Sequence, residues 1–589
     1  MNGIWLAAIG LSVFFIGYRF YSRFLANKVY RVDPRFETPA HTYQDGADFV
    51  PTNKYVLWGH HFTSVAGAAP IVGPAIAVFW GWLPAFLWVV GGTVLAAGVH
   101  DFGTLVLSVR HEGQSVGTIA ERLIGERAKV LFLFIILILV LMVNAVFAWV
   151  ISNLFITFPA SVVSIFIQIP LAVWIGYYTY KGDGEMLWPA LAALAAMYAA
   201  AVAASYMPIL QIDLIRYFGG ADASVALGLS GTSMAFLVWI VVLMVYVYIA
   251  STLDVWKLLQ PRDYINSHQL LVGLGILYLG LFFSTPEVTA PAVNATSGGE
   301  AAASWFPLLF ITVACGAISG FHGLVSSGTS SKQLDGEPDA RFVGYLGAVG
   351  EGALALITII ATVTVFDSEG AFLDAYGSFA AASSGGLAAF VRGGAELATG
   401  LAIPAEAART IIAVIVVSFA ATSLDTSVRL MRYIISELGS EYELPSLEKK
   451  HVATGLAVGS SAALVLLPEG PKGFGSGGYL LWPLFGTSNQ LLAGISLLLI
   501  SIWLKRRGSN PIYTLAPMAF LLFMTFWAMI DQVFGEWSGW GAENDMNLLA
   551  TFPLHPASGF RTSAPSGGRL SATDCARSCA HTGSVSTPP

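Results

Sequence analysis

The chain has 589 residues, 29 of them Lys or Arg and 36 Asp or Glu, for a net charge of −7 and a charged fraction of only 11%. Soluble domains carry about 25% charged residues. With 56% hydrophobic residues and a mean hydropathy of +0.69, the chain has too much apolar surface for one soluble core and too few charges to coat its outside. The lack of a basic footprint excludes nucleic acid as a partner. Apolar richness excludes disorder for the body of the chain, and long unbroken apolar runs exclude the alternation of an outer-membrane barrel. What remains is an all-α polytopic membrane protein whose surroundings are the lipid bilayer.

The first run, Met1 to Ile16, is apolar without a basic flank, which predicts a retained span rather than a cleaved signal peptide. A crossing helix needs about 20 apolar residues, and by that rule the chain holds about fourteen spans. They lie near 4–24, 60–80, 83–107, 130–152, 159–178, 187–206, 232–252, 269–285, 304–326, 342–366, 408–428, 452–468, 480–504 and 513–533. The second could be a re-entrant hairpin, and the Gly/Ala/Ser stretch 371–391 a further short helix. With the N-terminus outside, most basic residues fall on the inner side, among them Arg19, Arg23, Lys28, Arg110, Lys257, Arg262, Arg429, Arg432 and Lys505 to Arg507. That asymmetry is the rule for helical membrane proteins. Residues 1–550 therefore read as one transmembrane unit. The Ser/Thr/Gly/Pro/Arg-rich segment 551–589 reads as a disordered or artefactual tail. Three cysteines make no disulfide framework, and Cys575, Cys579 and His581 in the tail are given no role.

Polar residues inside spans are costly and mark pathways or relays. Gly59-His60-His61-Phe62-Thr63-Ser64 through Gly67, Pro70, Gly73 and Pro74 opens the second span, and its prolines and glycines forbid an ordinary helix. Broken backbone at membrane depth lines a cavity or packs in protein, and in transporters it presents helix ends to substrates. The alternative is a kinked helix packing through small residues. His100-Asp101 lies near the inner end of span three, where adjacent residues point about 100° apart and need not bond. The run from Cys315 through Ser319, Gly320, His322 and Ser326 to Thr329 makes a second weak helix. It lies seven spans after the first and has the opposite predicted direction, as inverted repeats require. Glu351 sits alone in an apolar span, where lost hydration suits a proton carrier; an ion pair to a neighbouring helix is the other reading. Asp425 and Arg429 stand four apart on one helix face, so they can pair. Pro483 and the run Gly486 to Gln490, with Asn489 and Gln490, interrupt span thirteen. No Gly-x4-Gly-Lys-Ser/Thr loop and no His-Glu-x-x-His motif occur in the sequence.

These blocks resemble the carbon starvation protein A (CstA) family. The likeness runs in order over about residues 1–535. It covers Gly59-His60-His61-Phe62 to Gly73-Pro74, Asp101-Phe102, Gln260-Pro261-Arg262-Asp263-Tyr264, Cys315 to His322, Ser418 to Arg432, Leu481 to Gly486 and Asn489 to Gly494. The resemblance implies an inner-membrane nutrient transporter linked to starvation, with members associated with peptides or pyruvate. It also implies a relation to amino acid–polyamine–organocation transporters, with discontinuous helices around a central site. It carries no residue roles, so the site is read from the residues. Substrate contacts are assigned to His60, His61, Ser64, Gly67, Gly73, Ser319, Gly320, His322, Ser326, Asn489 and Gln490. Proton coupling is assigned to Asp101, Glu351, Asp425 and Arg429. The expected function is secondary import of a small carboxylate-bearing nutrient, with H+ as coupling ion, Na+ also suited to unwound carbonyls, and no cofactor. The rival is a membrane-embedded metal site or enzyme using His60, His61, His100 and His322. A channel is disfavoured because the polar clusters are isolated rather than a continuous stripe.

Overall fold

The computed structural model describes residues 1–534 apart from 47, 183, 295–304 and 471–472. The tail 551–589, with Cys575 and Cys579, lies outside the described residues. Among the described residues, β-type backbone pairing is limited to isolated bridges such as Asn2 with Glu287 and Thr52 with Leu334. In chain order the principal helices are α1 (Gly3–Tyr30), α2 (Lys54–Val65), α3 (Ala69–Trp80), α4 (Trp82–Val109), α5 (Glu126–Thr157), α6 (Pro159–Gly182) and α7 (Leu187–Tyr206). After them come α8 (Gly231–Thr252) and α9 (Leu259–Ser284), then three short pieces, α10 (Trp305–Thr312), α11 (Ala314–Ala317) and α12 (Gly320–Gly328). The last six are α13 (Glu337–Thr364), α14 (Phe379–Thr399), α15 (Ala405–Glu441), α16 (Lys450–Leu466), α17 (Trp482–Arg506) and α18 (Ile512–Gln532).

The helices start and stop where local chemistry demands. Ser230 caps α8 by accepting from Ser233 N–H, and Pro404, which cannot continue a helix backwards, precedes α15. Gly125 at φ 141° opens α5, a 32-residue helix so uniformly apolar that it can only be buried or face lipid. The 37-residue α15 is the central post: its most apolar window is wholly buried, whereas those of α1, α7 and α18 are about one-third buried and form the lipid-facing rim.

Among the described residues eleven helices are long and apolar enough to cross a membrane, or twelve with α2 and α3 taken as one bent span. The fourteen spans read from apolar runs are therefore not matched by fourteen such helices. The run 304–326 is divided among α10, α11 and α12, and the run 452–468 is a helix of only 17 residues. The stretch 371–391 contributes to α14, where Gly386 lies against α3 and Gly393 against α13. A Cβ at Gly386 would meet Ala75 backbone at 3.2 Å, and one at Gly393 would meet Ala361 O at 2.0 Å.

Candidate functional site

Two broken helices meet at the centre. The α2–α3 pair bends by 48° at residues 66–68, where Pro70 removes a donor from the first turn of α3 and Pro74 lies inside it. The second break lies between α10 and α12, with Ile318 (φ −171°, ψ 133°) and Ser319 (φ −132°, ψ 129°) extended. Small residues let the two approach. A Cβ at Gly73 would stand 2.4 Å from Thr312 O, and one at Gly316 would stand 3.0 Å from Pro74 Cγ. Asn489 of α17 holds the second break: its Oδ1 accepts from Phe321 N–H at 2.9 Å, and its Nδ2 donates to Ser319 Oγ at 3.0 Å and to Cys315 Sγ at 2.8 Å. Gly320 lies against the same helix, its absent Cβ being 2.4 Å from Asn489 O. Gly73, Ser319, Gly320 and Asn489, read as substrate contacts, thus sit where they shape the breaks. Gly67 faces Ser423, where a Cβ would reach Oγ at 2.5 Å, and Ser423 Oγ donates to Ser64 O at 3.3 Å.

Beside the second break runs a fully buried chain of titratable groups. His100 Nδ1 lies 2.7 Å from Asp101 Oδ1, His322 Nδ1 lies 2.8 Å from Asp101 Oδ2, and His322 Nε2 lies 3.2 Å from Glu351 Oε2. His100 and Asp101, although adjacent on α4, do bond. An ionised Asp101 accepts from both rings, which places a hydrogen on each Nδ1. A favourable His322–Glu351 contact then needs one proton, on Nε2 or on the carboxyl. The contact is close but not aligned as a hydrogen bond, since Nε2 has no bonding partner by angle. His61 lies apart, its Nδ1 2.9 Å from Ser330 Oγ and its Nε2 buried without a partner. Ser64 Oγ, Ser326 Oγ and Gln490 Oε1 are also buried and unpartnered, while Gln490 Nε2 donates to Leu521 O at 3.4 Å.

A second charged cluster lies on the basic side of the first break. The expected Asp425–Arg429 pair does not form. Asp425 is bound by Arg262 of α9 and by Tyr246 of α8, whose hydroxyl donates to Oδ2 at 2.8 Å. Arg429 instead donates to Ala250 O at 2.9 Å and Leu253 O at 2.6 Å, and Arg432 to Ser251 O at 2.9 Å. The physical reason is that a helix end leaves its last carbonyls unpaired, and α8 ends against α15, where the two guanidinium groups reach those carbonyls. Next to Arg262, Asp263 Oδ2 lies 2.6 Å from His60 Nδ1. Arg262, Asp263, Tyr246 and Ser330 were missed as site residues. The signal was present in the Gln260-Pro261-Arg262-Asp263 block, but α9 begins at Leu259, ten residues before the apolar run, so charges assigned to a loop are inside the bundle. The four histidines of the metal reading do not converge: His60 faces Asp263, His61 faces Ser330, and only His100 and His322 share a partner. Among the described residues no group of three or more His, Cys, Asp or Glu is arranged to hold a metal ion.

The chain matches the family described as Carbon starvation protein CstA over residues 2–381 and 370–528. The peptide transporter CstA of Campylobacter jejuni is 32% identical, over 90% of this chain and 80% of its own. The pyruvate/proton symporter BtsT of Escherichia coli is 30% identical, over 91% of this chain and 82% of its own. Among solved structures, MhsT in complex with L-phenylalanine aligns over 81% of this chain and 99% of its own, with a TM-score of 0.41 and 13% identity. With a family match across both broken helices and relatives aligned almost end to end, the chain belongs to the carbon starvation protein CstA family.

Proposed function

We propose that the protein is a secondary active transporter of the cytoplasmic membrane that imports a small carboxylate-bearing nutrient, pyruvate or a peptide, together with protons, under carbon starvation. The observation that carries this reading is the buried His100–Asp101–His322–Glu351 chain beside the two meeting breaks. Ionisable groups are retained at such depth for proton or substrate movement, and the His322–Glu351 contact has two positions for one proton. The printed activities of the relatives, peptide transport and pyruvate/proton symport, support the same reading, and both kinds of substrate present a carboxylate. His61, Ser64, Ser326 and Gln490 hold free polar atoms for the substrate, with the Gly67 break giving it access to backbone. Gly73 shapes the first break, and Ser319, Gly320 and Asn489 shape the second. Asp101, Glu351 and Asp425 are the titrating carboxylates, and no catalytic step or resident cofactor is assigned.

The test is uptake of labelled pyruvate and of a labelled dipeptide into proteoliposomes, under an inward proton gradient and then a sodium gradient. Proton-driven accumulation that collapses with a protonophore, and falls at least tenfold in Glu351→Gln, is the expected result. Accumulation only under sodium would replace the coupling ion. No gradient-driven uptake of either substrate would refute the transport reading.

A further inference from the structure

Arg262 is a guanidinium buried to 2% exposure in a membrane protein, and the proposed mechanism has given it no task. The groups facing it are few. From α15 comes Asp425 and from α8 Tyr246; the neighbouring Asp263 is paired with His60 of α2, and one turn further along α15 stands Arg429. The other buried arginines of this region, Arg429 and Arg432, are committed to the backbone carbonyls that end α8. Arg262 differs, because what neutralises it is a side-chain carboxylate, and one carboxylate can replace another.

The pairing is also incomplete. Arg262 engages Asp425 through one nitrogen, Nη1, and one oxygen, Oδ2, while Asp425 Oδ1 is buried without a partner. A guanidinium fork favours a two-point grip on a carboxylate, and here that capacity is unused. The place is suited to a solute as well. Asp425 follows by two residues Ser423, whose hydroxyl reaches Ser64 at the first break, so the pair lies directly on the basic side of that break. His60, Gln260, Thr426 and Arg429 line a cavity of about 20 Å³, room for one water, reaching towards Lys332 and Tyr433. Two larger cavities, of about 350 and 400 Å³, share Tyr433 with it and open on the basic face. The small cavity thus reaches Thr426, the residue next to Asp425 on α15, and the larger ones adjoin it at Tyr433.

We propose that Arg262 is the substrate-carboxylate site and that Asp425 occupies it as an internal stand-in; this rests on the transport reading above. A proton on Asp425 removes its charge and frees the guanidinium, and the incoming carboxylate restores the charge that was lost. The cluster holds the same net charge before and after, so an anion and a proton enter together and neither enters alone. A bare anion would face Asp425, and a bare proton would leave Arg262 buried and unpaired. The coupling thus follows from competition for one guanidinium.

The experiment uses the full chain in proteoliposomes, with whichever of pyruvate and dipeptide the wild type accumulates, its methyl ester, which lacks the carboxylate charge, as competitor, and the variants Asp425→Asn and Arg262→Gln/Asp425→Asn. The double variant removes both charges at once, so it strands neither, and monodisperse elution checks its fold. In wild type the apparent affinity falls by up to tenfold per pH unit on the alkaline side, as one coupled proton requires. In Asp425→Asn the affinity is flat with pH, and gradient-driven accumulation drops at least tenfold. In the double variant the preference for the acid over its ester, at least tenfold in wild type, falls to about one. Should the double variant not survive purification, the pH profile of Asp425→Asn decides alone. Retention of wild-type pH dependence by Asp425→Asn, or of acid-over-ester preference by the double variant, overturns the proposal and leaves the pair a structural tie. Absence of uptake by the wild type refutes the transport reading itself, a different failure.

Discussion

Replacing Asn489 by alanine tests whether the second helix break is held open by one side chain. The Asn489 amide is fully buried and saturated by the break, accepting from Phe321 N–H at 2.9 Å and donating to Ser319 Oγ and Cys315 Sγ. Truncation leaves the Phe321 N–H without an acceptor in a region closed to water, and an orphaned buried donor costs about 1–3 kcal/mol. At 1.4 kcal/mol per factor of ten, that raises the population of locally opened break by about 5- to 150-fold. Cys315 reports the opening, because its thiol is buried at 8% exposure within the same break. In a background of Cys575→Ser and Cys579→Ser, maleimide labelling of Cys315 should accelerate by a factor in that range in Asn489→Ala. A labelling rate within twofold of the background would refute the reasoning, since it would mean that the break keeps its shape without the amide.

Four further outcomes follow from the same geometry. Asp101→Ala strands two buried imidazole donors at once and should cost about 3–5 kcal/mol in unfolding experiments, with Asp101→Asn intermediate; equal stability of the two would contradict the shared-carboxylate arrangement. Gly73→Ala places a Cβ 2.4 Å from Thr312 O and should destabilise by about 1–3 kcal/mol. Gly275→Ala, with open space around its Cβ, should instead stabilise α9 by about 0.5–1 kcal/mol; the two moving in the same direction on thermal unfolding would count against the packing account. Glu337 is wholly buried at the start of α13, gripped by Arg110 at 2.5 and 2.7 Å and accepting from Asp33 N–H, so Arg110→Ala should cost about 3–5 kcal/mol and adding Glu337→Gln should recover part of it. His111, in the loop after α4, is pushed below the ordinary histidine range by burial, against the pull of its bond to Leu107 O. Its contribution to stability is therefore present above about pH 6.5 and lost as pH falls towards the folded value, and a melting-temperature profile of His111→Gln should lack that acid loss.

Much of this was readable in the chain before any tertiary contact was known. A sequence with 56% hydrophobic and 11% charged residues has no soluble solution. Proline and glycine at 67–74 and 316–328 break helices for reasons local to the backbone. The polar residues at 60–64, 100–101, 322, 351 and 425 stood out because the surrounding runs are apolar. Span counting failed where a local rule met a global choice. The 304–326 run is apolar enough to cross, but its glycines give the three-piece arrangement that Asn489 clamps from another helix.

Partner choice was decided by the tertiary structure alone. Asp425 had a basic residue four positions away and pairs with one 163 positions away. His322 meets Asp101 across 221 residues. A local i, i+4 pair is worth about 0.2–0.5 kcal/mol, which is small beside the hydrogen bonds of a charged group to the carbonyls at the end of α8, about 1.5–3 kcal/mol each, so Arg429 goes to the carbonyls and Asp425 to Arg262. The sequence determined which groups had to be inside the membrane, because hydropathy and backbone breaking are properties of short stretches. Only the folded chain decided which of them neutralise one another, because that depends on where distant helices end and which polar groups those ends leave bare.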